Sequence, residues 1–121
     1  MKREDDFEIR RQHLKGLSEL ELEAKFWELC DKLVDPLIKL AENNTSPAVE
    51  RSVLLRMGFS SIESKGIIDK VMDLNLLGKG AGNVVYKLAK HKGIGIKESG
   101  LLIAGGSAQD DIVSLFKAGD R

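Results

Sequence analysis

The sequence has few of the features that identify secreted, membrane-spanning or strongly charged proteins. Its 121 residues include one cysteine, so no disulfide can form within the chain. No apolar run approaches the roughly 20 residues of a transmembrane helix, and the charged segment Met1–Arg11 lacks the apolar core of a secretory signal. Basic and acidic residues balance at 19 each, so no net charge directs the chain to nucleic acid. We expect a cytoplasmic protein.

The alternating pattern of a half-buried strand is almost absent, whereas apolar residues at steps of three and four are common. We therefore predict an all-α fold, with residues 1–121 forming a single small helical domain of about five to seven helices. A chain of this size supports one modest core but not a deep catalytic cavity as well. Residues 1–16 are a candidate arm for docking on a partner, which would leave Phe7 and Ile9 exposed in the free chain.

Serine, proline and glycine predict where the helices begin and end. Ser18 and Ser60 each precede a glutamate by three residues, which is the pattern of a capping box. Ser46 is an N-cap before Pro47, and left-handed glycine caps are expected at the helix ends. The first long predicted helix begins at Ser18 and has a kink or break near Val34–Asp35, just before Pro36. Further helices are predicted at 47–57, 61–74, 82–91 and 97–104. The last predicted helix is capped by Ser107 and terminated by Gly119.

The helix that begins at Ser18 carries one apolar stripe, widened by Trp27 and Val34. Cys30 is predicted to be a small core residue rather than a nucleophile, and Trp27 a core or interface residue. The stripe comprises Leu22, Phe26, Cys30, Leu33, Leu37 and Leu40. Later helices are predicted to bury Val49, Val53, Leu54, Met57, Ile67, Val71, Leu74, Val85, Leu88, Ala89, Ile112, Leu115 and Phe116.

The stretch Arg51–Gly82 is the most distinctive in the chain, because two helices joined by a tight turn lead into the loop Gly78-Lys79-Gly80-Ala81-Gly82. Backbone amides at the following helix N-terminus are able to bind a phosphate, with Lys79 adding charge. The loop lacks the Walker spacing and follows no predicted strand. A connector or docking loop, in which glycine permits close approach of a neighbouring chain, is the alternative. Gly66 within the second helix also predicts close approach of another backbone.

Other candidate sites have little support in the sequence. The two helices of Arg51–Gly82 resemble a helix-turn-helix, but the second carries three acids and two lysines, which disfavours DNA. Five lysines between Leu74 and Lys97 leave a nucleic-acid alternative open. His13 precedes Gly16 as in a cobalamin-ligand motif, but Arg11 stands where that motif has aspartate. We predict no catalytic or metal-binding residue in this chain.

Several segments together resemble one known family. The segments RSVLLRMGFSS and GKGAG are the most specific, supported by the opening MKREDDF, by Phe26-Trp27 and by Val34-Asp35-Pro36-Leu37. Along its whole length the chain is similar to the small subunit of D-ornithine 4,5-aminomutase. The resemblance implies an isomerase of bacterial ornithine fermentation that converts D-ornithine to 2,4-diaminopentanoate by a radical amino migration.

The resemblance also implies how the work is divided between subunits. Adenosylcobalamin and pyridoxal 5'-phosphate are both expected on a large catalytic subunit, and this chain is expected to be a helical accessory subunit that is inactive alone. No catalytic residue of the family is carried over onto this chain.

We expect the block Arg51–Gly82 to supply much of the contact with the large subunit, with the loop close to the partner or to a cofactor edge. The expected interface residues are Arg51, Arg56, Gly66, Gly78, Lys79, Gly80 and Gly82. The alternative is a stand-alone helical module that binds nucleic acid or another protein.

Overall fold

The computed structural model describes residues 2–117 and confirms the all-α prediction, since every regular element among these residues is helical. The α-helices are α1 (Phe7–Arg10), α2 (Glu19–Asn43), α3 (Pro47–Arg56), α4 (Ser61–Asp73), α5 (Ala81–Lys92), α6 (Ile96–Ala104) and α7 (Gln109–Phe116), with a short 3-10 helix at Leu77–Lys79. The chain divides into two compact units, one ending at Ile38 and the other beginning at Lys39. Whether the two behave as the single domain expected from the sequence stays a prediction.

The first unit contains α1 and most of α2. The capping box at Ser18 is confirmed, because its hydroxyl accepts from the amide of Glu21 at 3.2 Å and its own amide donates to the Glu21 carboxylate at 2.9 Å. The helix does not break near Val34–Asp35, since α2 continues through Pro36 to Asn43, and the alternative of a kink at this point stays a prediction. The prediction that Cys30 is a core residue is also wrong: α2 buries none of its residues, and Cys30 is only half-buried.

The second unit has its own hydrophobic core, formed where α3 to α7 pack together. The core consists of Leu54, Phe59, Ile67, Ile68, Val71, Ala81, Val84, Val85, Leu88, Ile103, Ala108 and Ile112. The close approach predicted at Gly66 is confirmed, because a Cβ there would lie 3.2 Å from the Cβ of Ala104 on α6. Ser60 forms its capping box with Glu63, and Gly93 ends α5 at φ +67°.

Two sequence predictions in this unit fail for local reasons. Val49 and Val53 are more than two-fifths exposed, because α3 turns the acidic residue between them, Glu50, toward the core instead. The last helix begins after Ala108 without a side-chain cap, so Ser107 is not its N-cap. The predicted terminator, Gly119, lies outside the described residues.

Candidate functional site

The glycine loop is a short connector between α4 and α5. Leu77–Lys79 form one turn of 3-10 helix, and Gly80 adopts φ +90° just before α5 begins at Ala81. A residue with a side chain rarely adopts this positive φ, so glycine is required at position 80 by the backbone itself. Gly78 is required for a different reason, because a Cβ there would lie 3.0 Å from the carbonyl oxygen of Glu42.

A carboxylate of the same chain binds the N-terminus of α5. Glu50 is 7% exposed, and its Oε2 accepts a hydrogen bond of 2.8 Å from the amide of Ala81. Its Oε1 accepts from the hydroxyl of Thr45 at 2.5 Å. Negative charge at a helix N-terminus is favoured by the helix dipole, so this pair joins α3 to α5 with a charge-assisted hydrogen bond.

Lys79 is also bound within the chain. Its Nζ lies 2.9 Å from Oε1 of Glu42, near the end of α2. Its carbonyl oxygen accepts from the side-chain amide of Asn83 at 3.1 Å. The loop is therefore held at two points. Glu42 binds the side chain of Lys79, and Glu50 binds the amide of Ala81, the first residue of α5.

This arrangement does not fit a bound phosphate. A phosphate at this helix N-terminus would compete with Glu50 for the amide of Ala81 and would be repelled by its carboxylate. The positive charge of Lys79 is partly neutralised by Glu42. Of the two interpretations of the loop, the geometry favours the connector.

The other predicted interface residues divide into packed glycines and exposed arginines. Gly66 faces Ala104, and a Cβ at Gly82 would lie 2.9 Å from Sδ of Met57, so both glycines allow helices of the same unit to approach. Arg51 and Arg56 are exposed on α3. The guanidinium of Arg51 donates to the hydroxyl of Ser61.

Arg51 also lines a cleft between α3 and α4. The cleft has a volume of about 370 Å³, and its walls combine apolar and charged side chains, including Lys65, Ile68 and Met72. Met72 is 47% exposed and nearby Ile62 is 86% exposed, so this face of the unit is only partly covered. It remains open to a partner of mixed polarity.

Lys97, in the first turn of α6, contacts the turn between α3 and α4 directly. Its Nζ donates to the carbonyl oxygen of Gly58 at 3.1 Å and lies 2.6 Å from Oε2 of Glu63. The same ammonium group lies 5.2 Å from the centre of the buried Phe59 ring. The hydrogen bond from Lys97 lowers the pKa of Glu63, and the amide of Ser60 lowers it further. Lys97 therefore stabilises the turn rather than forming a free basic patch.

The remaining candidate ligands are dispersed. His13 and His91 are exposed and Cys30 is half-buried. Among residues 2–117, no three His, Cys, Asp or Glu side chains are grouped so as to hold a metal ion. No helix in this part of the chain is long and apolar enough to cross a membrane.

Comparison with known proteins identifies the family. The family model described as D-ornithine 4,5-aminomutase alpha-subunit matches residues 2–116. The chain belongs to this family. A curated relative, the D-ornithine 4,5-aminomutase subunit alpha of Acetoanaerobium sticklandii, is 56% identical over 119 residues, covering 98% of this chain and 98% of the relative.

Membership in the D-ornithine 4,5-aminomutase alpha-subunit family confirms the resemblance found in the sequence. The family is named as one subunit of an isomerase, so it acts together with a partner subunit.

Sequence reasoning missed the structural role of Glu50, because an acid in the first turn of a helix usually indicates only a favourable dipole interaction. It also missed the exposure of the α2 stripe, since helical periodicity cannot distinguish a face that packs within the chain from one that packs on another chain.

Proposed function

We propose that this chain is the accessory subunit of an aminomutase that converts D-ornithine to 2,4-diaminopentanoate. The observation that carries the proposal is the family match over residues 2–116, together with 56% identity to an aminomutase alpha subunit along nearly its whole length. The all-α fold of the described residues is compatible with an accessory role. We place the complex in the cytoplasm, in keeping with the single cysteine.

We assign adenosylcobalamin and pyridoxal 5'-phosphate to the large catalytic subunit, where together they supply the radical migration of the amine. The residues of this chain fit neither group. Glu50 already binds the amide that a phosphate would need, and Lys79 lies beside Glu42. A histidine that binds cobalamin would need an acidic residue two positions before it. In this chain that position, relative to His13, is occupied by Arg11, a cation that pairs with Glu8 at 3.2 Å. We therefore derive no catalytic step from this chain.

The contribution of this chain is to bind the large subunit and to cover surface around the reaction, which would restrict water there. On the second unit, Arg51 and Arg56 and the cleft between α3 and α4 are the surface we propose for this contact. Arginine suits an interface because its planar guanidinium forms several hydrogen bonds at once. We propose that Gly66, Gly78, Lys79, Gly80 and Gly82 act indirectly, by holding the helices that present this surface.

Reconstitution tests the proposal. The large subunit, this chain and an equimolar mixture are each supplied with both cofactors and D-ornithine, and product formation is measured. We expect turnover only in the mixture, and a complex of the two chains in size-exclusion chromatography. Full turnover by the large subunit alone, with no complex formed, would overturn the proposal.

A further inference from the structure

Among residues 2–117, exposed large apolar side chains are most numerous on α2, where they form a stripe. It is formed by Leu22, Phe26, Leu29, Leu33, Leu37 and Leu40, with Trp27 and Val34 along one edge, and each of these side chains is at least 38% exposed. The helical spacing predicted from the sequence is present, with Leu29 in the place that the prediction gave to Cys30, but no residue of α2 is buried. A regular stripe of this kind in an all-helical subunit is typical of a face that another protein covers.

The extent of the stripe is close to what one side of a stable interface requires. Eight large apolar side chains at these exposures present on the order of 800 Å², which is about the area that each partner contributes to a standard interface. The largest single patch on a typical monomer is smaller, at roughly 300–600 Å². The exposed apolar area of the stripe is therefore comparable with one side of a standard interface.

An aromatic pair lies in the N-terminal half of the stripe, where Phe26 is part of the stripe and Trp27 lies along its edge. Phe26 and Trp27 are 58% and 59% exposed, and their rings meet edge to face with centres 5.1 Å apart. Each ring restricts the other, so less conformational freedom is lost when a partner binds them. Tryptophan is enriched among the few residues that contribute most of the affinity of an interface.

The charges around Trp27 indicate what kind of partner the stripe fits. Glu23 and Asp31 lie one turn before and one turn after Trp27, are exposed, and form no ion pair within residues 2–117. The two lysines of the segment Glu19–Asp35, Lys25 and Lys32, both pair with Glu28 and not with Glu23 or Asp31. The edge of the stripe beside Trp27 is therefore acidic and unneutralised.

This charge distribution disfavours a second copy of the chain as the occupant. The segment Glu19–Asp35 carries six acidic and two basic residues, so pairing it with itself would bring like charges together as water is removed. A partner with an apolar groove and arginine or lysine at the rim would instead pair with Glu23 and Asp31. The family is named as a subunit, so a partner subunit is available to cover the stripe.

We propose that the α2 stripe is the principal surface by which this chain docks on the large subunit, with Trp27 inserted in an apolar pocket between basic side chains. The proposal rests on the proposed function and deepens it. It assigns the main contact to α2 and a secondary one to the surface of α3 and α4.

The test compares three full-length variants, each bound to the large subunit with affinity measured by calorimetry or biolayer interferometry. We expect Trp27→Ala to raise the dissociation constant about thirtyfold or more, as for an anchor residue. Tyr86→Ala is the matched control, because Tyr86 is an aromatic residue on α5 with a similar exposure of 53%. We expect it to change affinity less than threefold, roughly the scatter expected for a surface substitution.

A double charge reversal, Glu23→Lys with Asp31→Lys, tests the basic rim. We expect slower association and a weaker dependence of affinity on salt than in the wild type. Circular dichroism of each variant confirms that helix content is retained, since every substituted side chain is exposed.

The outcomes separate the two proposals. A wild-type chain that does not bind the large subunit overturns the proposed function. A wild-type chain that binds, with Trp27→Ala binding equally well, overturns only the assignment of α2. Self-association of the wild-type chain that is lost in Trp27→Ala would show a second copy on the stripe and would also overturn it.

Discussion

The carboxylate of Glu50 and the amide of Ala81 are 31 residues apart in sequence and 2.8 Å apart in the structure. This hydrogen bond joins the first turn of α3 to the first residue of α5. It explains why an acidic side chain is buried between two valines that remain partly exposed.

Replacing Glu50 by alanine is expected to lower the free energy of unfolding by about 2 kcal/mol. The reason is that the amide of Ala81 would be left buried without an acceptor and the helix would lose its favourable negative charge. Glu50→Gln keeps an acceptor oxygen and should cost less. Urea unfolding followed by circular dichroism measures both values. Equal stability of Glu50→Ala and wild type would mean that the bond contributes nothing.

Of the glycines between residues 2 and 117, Gly100 is the one at which an added methyl group would meet the most severe obstruction. A Cβ there would lie 2.2 and 2.3 Å from two carbons of the buried Phe59 ring. We expect Gly100→Ala to destabilise the chain by about 3 kcal/mol or more, because the ring cannot move without opening the core. Gly95→Ala is the control, since no atom lies within 4 Å of its Cβ position and its φ is −71°. It should cost about 1 kcal/mol or less, through a poorer helix cap. Similar losses in the two variants would argue against tight packing at Gly100.

The salt bridge of Lys97 with Glu63 predicts a loss of stability in acid. Its hydrogen bond lowers the pKa of Glu63 in the folded chain below the unfolded value of about 4.3. The unfolded state therefore binds a proton more readily, so the stabilisation is present above about pH 5 and disappears as the pH falls through the folded pKa. The urea concentration at the midpoint of unfolding should therefore fall as the pH is lowered from about 5 through the folded pKa of Glu63.

Lys97→Met should make that fall shallower by removing the interaction. Lys65→Met serves as the comparison, because Lys65 is exposed and has no ion-pair partner among the described residues. An unchanged acid profile in Lys97→Met would assign the acid sensitivity to other carboxylates. Asp111, whose pKa is lowered by Lys92, is the first to consider.

Substitutions of Lys79 and Glu42 distinguish a structural role of the glycine loop from a role in docking on the large subunit. Both side chains are about one-third exposed, so their ion pair should contribute less than about 1 kcal/mol to stability. If Lys79 acts only within the chain, Lys79→Ala and Glu42→Ala should have the same small effect on stability and none on binding to the large subunit. Loss of binding in Lys79→Ala alone would place this lysine in the interface.

The helix boundaries could be predicted from sequence wherever a local signal sets them. Ser46 with Pro47, Ser60 with Glu63, and Gly93 each act through groups a few residues away, so the sequence contains the whole interaction. Ser107 shows the limit of this reasoning. Its spacing to Asp110 matches a cap, but the helix begins only after Ala108.

The candidate site depended on contacts that local patterns do not encode. Glu50 and Ala81 meet only because α3 and α5 pack together, and nothing near either residue predicts that contact. The α2 stripe was found by its periodicity, but its exposure was not. Apolar side chains repeat in the same way whether they face their own core or a different protein.

The exposed side chains of α2 also matter before the complex exists. A newly made copy without a partner carries a helix that chaperones and other incompletely folded chains are able to bind. Surplus copies should therefore be retained, degraded or aggregated, and the soluble amount of this chain should follow the supply of its partner. Expression of the chain alone and together with the large subunit, followed by comparison of the soluble fractions, would measure this dependence directly.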